Sequence, residues 1–152
     1  MALYPKRLRS GYINVLVGDG ATPEVFSVLC GASQKSFTDQ KNTTDDTLDP
    51  CDDPEAIPFR VLQVTGRQAS IGLNIVYNRT QAAMIRELMA SSESVNMRFQ
   101  FTEPNGDAVD AGYYAGQFQV VNFQVTAGGN AEYATGTLQI ESDGPYEWVD
   151  AA

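Results

Sequence analysis

The chain has 152 residues and a formal charge of −9, from 19 acidic and 10 basic side chains; that length suits one domain able to bury roughly two thirds of its extended-chain surface. The anionic balance argues against nucleic-acid binding through the general surface, which needs Lys and Arg to displace counterions. Histidine is absent, which removes Ser-His triads, Cys-His dyads and most zinc sites, so enzyme chemistry has little to start from.

Residues 1–11 form an N-terminal arm made basic by Lys6, Arg7 and Arg9. No apolar core of signal-peptide length follows, and no apolar run is long enough to span a bilayer. The expectation is a soluble protein made and folded in a cytoplasm, without a membrane partner. In that compartment Cys30 and Cys51 read as two thiols rather than a disulfide. The triplets Asn42-Thr43-Thr44 and Asn78-Arg79-Thr80 carry no glycosylation meaning without secretion.

Tyr12 to Val17 reads as a strand with Ile13, Val15 and Val17 on one face, Gly18-Asp19-Gly20 as a turn, and Val25 to Cys30 as the returning strand. From Gly31 to Pro58 the pattern dissolves into Ser, Thr, Asn, Asp and Pro. Phe37 is the one aromatic there, and Asp39, Asp45, Asp46, Asp49, Asp52, Asp53 and Glu55 are its acids. A loop of that length inside a compact domain is functional or awaits a partner. We expect a partner-contacting loop over 31–58 with only short extended pieces such as Gln34 to Thr38. A solvated loop is the plain rival. A calcium site is a further one, although the acids lack the EF-hand order and its central glycine.

Phe59 to Val64 and Gln68 to Tyr77 predict a second hairpin turning at Thr65-Gly66-Arg67, with Ala69, Ile71, Leu73, Ile75 and Tyr77 on one face. Asn78 then stands at a helix start, and Ala82, Ile85, Leu88 and Met89 recur at helical spacing, predicting one amphipathic helix over about 80–90 that covers a sheet. Ser94 to Phe101 alternates cleanly, with Val95, Met97, Phe99 and Phe101 on one face, and Pro104-Asn105-Gly106-Asp107 ends it.

The most informative stretch is Gly112 to Glu141, two strand-like arms meeting at Gly128-Gly129-Asn130, residues that tolerate the positive φ of a tight turn. In the second arm Gly136, Leu138 and Ile140 alternate with Thr137, Gln139 and Glu141. In the first, Gln117, Gln119, Asn122 and Gln124 share a face only if a bulge intervenes near 120–121. The result is a ribbon with one greasy face and one of amides, hydroxyls and carboxylates. From Phe99 to Ala152 there is no Lys or Arg, while Glu103, Asp107, Asp110, Glu132, Glu141, Asp143, Glu147 and Asp150 are acidic. Ser142-Asp143-Gly144-Pro145 breaks the alternation and leaves a tail, 142–152, whose Trp148 needs somewhere to dock.

The sum is a mainly β domain over 1–152, an antiparallel barrel or sandwich of about seven strands with one helix packed on it and a long acidic loop. Three functional readings compete. A stand-alone β-sandwich module, an adhesin or carbohydrate binder, would use Trp148, Tyr113, Tyr114 and Tyr133. A carboxylate hydrolase would need two acids across a cleft, and Glu132 with Glu141 has poor geometry for it. The third reading is an assembly protein.

The order of elements, the loop ending Leu48-Asp49-Pro50-Cys51-Asp52-Asp53-Pro54, the single helix Gln81 to Met89 between strands and the amide-rich closing hairpin together resemble the major tail tube proteins. These belong to long, non-contractile (siphovirus-type) bacteriophage tails and related phage-derived particles; a tube protein of a phage-like secretion system would look similar. The resemblance implies a non-enzymatic structural protein of the virion tail without cofactor or metal, assembled in the bacterial host cytoplasm. It implies hexameric rings stacked into a tube whose lumen conducts double-stranded DNA during genome ejection without specific binding. Tape measure, tail terminator and distal tail proteins are the implied partners. Gln117, Gln119, Asn122, Gln124, Glu132, Thr137, Gln139 and Glu141 are then expected to include the lumen-facing set. Phe37, Asp45, Asp46, Asp49, Asp52 and Asp53 are expected to reach an adjacent ring, where Lys6, Arg7 and Arg9 of a neighbour would meet the acids.

Overall fold

Alternation of apolar and polar side chains sets most of the architecture. The computed structural model describes residues 12–29, 31–49, 51–53, 55–101 and 112–150. Among these residues the elements are β1 (Ile13–Gly18), β2 (Phe26–Val28), β3 (Ala32–Leu48), β4 (Phe59–Val76), α1 (Arg79–Ala90), β5 (Val95–Phe101), β6 (Gly112–Thr126) and β7 (Thr135–Asp150). The strands form one antiparallel sheet in the order β2-β1-β5-β6-β7-β4-β3. The expected class is therefore what forms: mainly β, seven strands and one helix. The sheet coils without closing its ladder into a barrel.

Coiling carries the β3 edge back over the other half of the sheet. Phe37 of β3 stacks on Tyr114 of β6 with centroids 4.4 Å apart and tilts against Phe99 of β5 at 5.2 Å. Lys35 donates from its ammonium to the Ile13 carbonyl of β1. The space enclosed is filled by the inward members of each alternation, and Ile71, Phe118 and Ile140 are wholly buried there. Truncating a fully buried phenylalanine costs about 3–5 kcal/mol, so Phe118 anchors the two halves. α1 closes one side of this core. Asn78 caps it by accepting from the Thr80 amide at 3.0 Å, Ala82 and Ile85 are buried, and Ser91 ends it by donating to the Glu87 carbonyl.

The first turn follows expectation. Asp19 Oδ1 accepts from the amides of Ala21 and Val25 at 3.0 Å each, which holds the carboxyl below its usual range, and Gly20 supplies φ +75°. The anticipated bulge in β6 is also present, because the register with β7 shifts between Val120 and Asn122.

Four local expectations are corrected. Residues 32–48 are strand, not loop, paired along their length with β4, so the irregular part of the 31–58 segment shrinks to the tip beyond Leu48. Apolar alternation could not announce this strand, since most of it buries neither face; its four threonines favour extended backbone. Thr65-Gly66-Arg67 is no turn. It lies inside β4 at a bulge where the register shifts between Asn42 and Thr43, and the Thr65 hydroxyl donates to the Asn42 carbonyl at 3.1 Å. The strand total survives because one strand was unseen and another was split.

The joint between β6 and β7 spans residues 127–134, and neither Gly128 nor Gly129 takes a left-handed φ. Finally, residues 142–150 are not a tail but the second half of β7. Gly112 to Gly116 pair with Tyr146 to Asp150, and 143–145 bulge outward with Gly144 at φ +112°. Trp148 docks within the subunit, 4.9 Å from Tyr114 and 5.6 Å from Phe101 between ring centroids.

Candidate functional site

The convex side of strands β6, β7, β4 and β3 is one continuous polar surface, because four alternations run in register. One row across the sheet reads Gln124, Thr137, Asn74 and Gln34; the next Asn122, Gln139, Gly72 and Ser36; the next Gln119, Glu141, Ser70 and Thr38. Between them lie the inward rows, such as Val120, Ile140, Ile71 and Phe37. The extra residue Val121 makes this possible by moving Asn122 and Gln124 onto the face that Gln119 occupies.

Amide and hydroxyl contacts knit the surface. Asn74 donates to Gln34 Oε1 at 2.8 Å, Gln119 donates to Asp143 at 2.7 Å, and Gln139 lies 3.4 Å from Glu141. In these three rows Glu141 is the sole ionised residue, and no Lys or Arg interrupts them.

Of the eight residues read from sequence for this face, Gln119, Asn122, Gln124, Thr137, Gln139 and Glu141 are brought together. Gln117 continues the face toward β5, opposite Asn96, where the Ser94 hydroxyl lies 3.4 Å from its Oε1. Glu132 stands apart in the 127–134 connection, its amide bonded to the Gly129 carbonyl. Sequence reasoning missed the half of the surface given by Gln34, Ser36, Thr38, Ser70 and Asn74. The signal was there: the complement of the apolar set in β4, and the run Gln34, Ser36, Thr38 at period two.

The second feature is an arm. β4 pairs with β7 only from Ser70 to Val76, so beyond it β3 and β4 continue as a two-stranded ribbon. Its described residues from Lys41 to Leu48 and from Phe59 to Thr65 are exposed. Ile57, Phe59 and Leu48 are 81%, 77% and 59% exposed, and Val61, Leu62 and Val64 are also open to solvent. Asp45 and Asp46 lie on β3, with Asp49, Asp52 and Asp53 at the tip; Arg60 approaches Asp45 at 3.8 Å. Cys51 is exposed there as a free thiol. Phe37 lies away from this group, packed inside the subunit, and Lys6, Arg7 and Arg9 fall outside the described residues. No three acids are grouped to hold a metal ion among the described residues.

The arm is fixed at its root. Arg67 of β4 donates through Nε and Nη2 to the two Asp39 oxygens at 2.9 and 2.5 Å, the Tyr146 hydroxyl of β7 donates to the same carboxylate, and the guanidinium lies 4.9 Å from the Tyr146 ring centroid. The Arg67 bonds, then that of Tyr146, hold the Asp39 carboxyl down at about 2. Arg67 is held above its ordinary value by the same pair, and burial pushes the Tyr146 phenol up. Strands β3, β4 and β7 are thus tied at one point.

Comparison with known proteins gives a consistent answer. The sequence model of a family described as "Phage tail tube protein" matches residues 13–147. No curated protein matches. Among solved structures, a chain from the virion of a native gene transfer agent particle superposes with TM-score 0.71 at 16% identity, covering 94% of this chain and 99% of that one. A chain of the tail of an empty gene transfer agent particle, refined with C6 symmetry, gives 0.67 at 19% identity over 89% and 95%. The SPP1 tail tube gives 0.69 at 10% identity over 95% and 80%.

Proposed function

The chain belongs to the phage tail tube protein family, and from that premise we propose that its copies close into six-membered rings and stack into a tube. The polar face of β6, β7, β4 and β3 lines the bore, through which double-stranded DNA passes during ejection. The subunit is a structural component of the particle's tail, assembled in the bacterial cytoplasm. A tape measure protein occupies the bore before release, and terminator and distal tail proteins close the two ends.

The observation that carries this reading is the composition of the four-strand face. Duplex DNA presents one negative charge per about 1.7 Å of axis, and a cationic wall would hold it by counterion release. A wall of amides and hydroxyls with scattered carboxylates gives the polymer nothing to condense on, so it slides. The exposed sheet edges support ring closure, since an unpaired edge is an association hazard that a closed ring turns into a specific contact. The arm supports stacking, because a two-stranded ribbon exposed on both faces is at best marginally stable in water. Its apolar residues and the acids Asp45, Asp46, Asp49, Asp52 and Asp53 are therefore assigned to the contact with an adjacent ring.

Negative-stain microscopy of the purified chain at high concentration tests the proposal. The expected images are rings or tubes with a stain-filled channel; a protein that stays monomeric by light scattering, with no rings in the images, overturns it.

A further inference from the structure

The arm needs a receiver, and among the described residues the distribution of positive charge points to one. Seven cations lie among the described residues: Lys35, Lys41, Arg60, Arg67, Arg79, Arg86 and Arg98. Lys35 is spent on the Ile13 carbonyl and Arg67 on Asp39. Arg98 is held between the rings of Phe26 and Tyr113, at 3.8 and 4.5 Å from their centroids. Lys41 and Arg60 belong to the arm itself. Arg79 and Arg86 remain. Among the described residues Arg79 makes no ion pair, and Arg86 donates to a neutral acceptor, the Tyr77 hydroxyl.

Both remaining arginines sit on the outward side of α1. Arg79, Ala83, Arg86 and Ala90 follow at spacings of four, three and four, so they form one stripe along the helix. All four are exposed, and the buried Ala82 and Ile85 lie on other sides. The stripe is flat, because its members between and beyond the arginines are alanines. A flat surface admits an extended ribbon at close range, and two guanidiniums about 10 Å apart along it can each take a carboxylate.

We infer that this stripe on α1 receives the arm of a second copy of the chain. The inference rests on the tube reading and adds the docking surface to it. On one side of the ribbon Asp46, Leu48, Phe59 and Val61 are near neighbours, since Leu48 opposes Phe59 and Asp46 opposes Val61. That side carries an anion for an arginine and apolar groups to lie over the alanines. The arm is long enough to lie along the whole stripe: from Ser70 to Phe59 it spans about 36 Å at 3.3 Å per residue, whereas α1, with twelve residues, is about 18 Å long. Docking would remove Leu48, Phe59 and Val61 from water and pair Arg79 and Arg86 with acids of the arm, satisfying both surfaces together.

The exposed Cys51 at the arm tip supplies the test. In a Cys30→Ser background, Ala83→Cys places a second thiol in the stripe, and assembled tubes are treated with a short bismaleimide. Covalent dimers and higher ladders are expected on a denaturing gel, and none when the second thiol is placed instead at Glu147 on β7. In parallel, Arg79→Glu with Arg86→Glu should abolish tubes while leaving the subunit's circular dichroism unchanged, and Asp46→Lys with Asp49→Lys in the same chain should restore them. Tubes that assemble but yield no linkage through position 83, or tubes unaffected by the arginine reversals, overturn the stripe as receiver and leave the tube reading standing. Failure of the unaltered chain to form any tube overturns that reading and this inference with it.

Discussion

Asp39 is a surface carboxylate that holds three strands to one another. It accepts two bonds from Arg67 and one from Tyr146, all of which favour its ionised form and hold it at about 2, against roughly 3.9 in an unfolded chain. A group depressed in the folded state contributes stability above its unfolded value and loses it as pH falls through the folded one. Wild type should therefore exceed Asp39→Asn in urea midpoint at neutral pH, and the gap should narrow between about pH 4 and pH 2. Midpoints measured at intervals across that range check it, and a gap that stays constant to pH 2 shows the cluster to be incidental. None of this was legible in the sequence. Asp39 and Tyr146 are 107 residues apart, and Tyr146 reads locally as part of a frayed tail.

Among the elements, what sequence could disclose tracked what each strand buries. β1, β5, the second half of β4 and the first half of β7 bury one face, so Val15 and Val17, or Leu138 and Ile140, alternate visibly with polar neighbours. The bulge in β6 was readable for the same reason: Phe118 and Val120 share one parity and Phe123 the other, and only an inserted residue reconciles them with a common core. The arm buries nothing within the subunit, so β3 wore the composition of a loop. The polar positions of β6 and β7 were read as one face, whereas those of β4, though they alternate with its buried set, and of β3 were not joined to it, because β3 was unseen as a strand and the pairing of β4 with β7 is not local. The bulge makes a sharp prediction. Val121 is 46% exposed, so Val121→Thr should shift stability by no more than about 0.5 kcal/mol. Deleting Val121 instead slips the distal half of β6 by one residue and drives Asn122 and Gln124 toward the core while expelling Phe123. Thermal unfolding followed by circular dichroism should show a near-native transition for the substitution and no cooperative transition for the deletion; equal behaviour of the two would mean the bulge carries no register.

At the scale of the whole molecule, charge is uneven by surface: acids outnumber Lys41 and Arg60 on the arm, Arg79 and Arg86 outnumber Glu87 on α1, and almost nothing is ionised on the four-strand face. In the proposed tube, that distribution would let one subunit attract its neighbours and a passing polyanion hardly at all. Gln124 and Gln139 lie in adjacent rows of the polar face, opposite Thr137 and Asn122, and neither supports the core. Gln124→Lys with Gln139→Lys should thus leave tube assembly unchanged while placing two cations per copy on the proposed wall of the bore. Each cation that meets a phosphate steepens the salt dependence of binding by about one unit in the log-log slope. DNA release from particles carrying the double variant should accordingly be slowed at low salt and recover toward the wild-type rate as salt is raised, whereas the wild type should respond little. Time-resolved fluorescence of released DNA at several ionic strengths reads both effects. Release as fast as wild type at low salt, from tubes of normal length, would mean that this face does not meet the DNA.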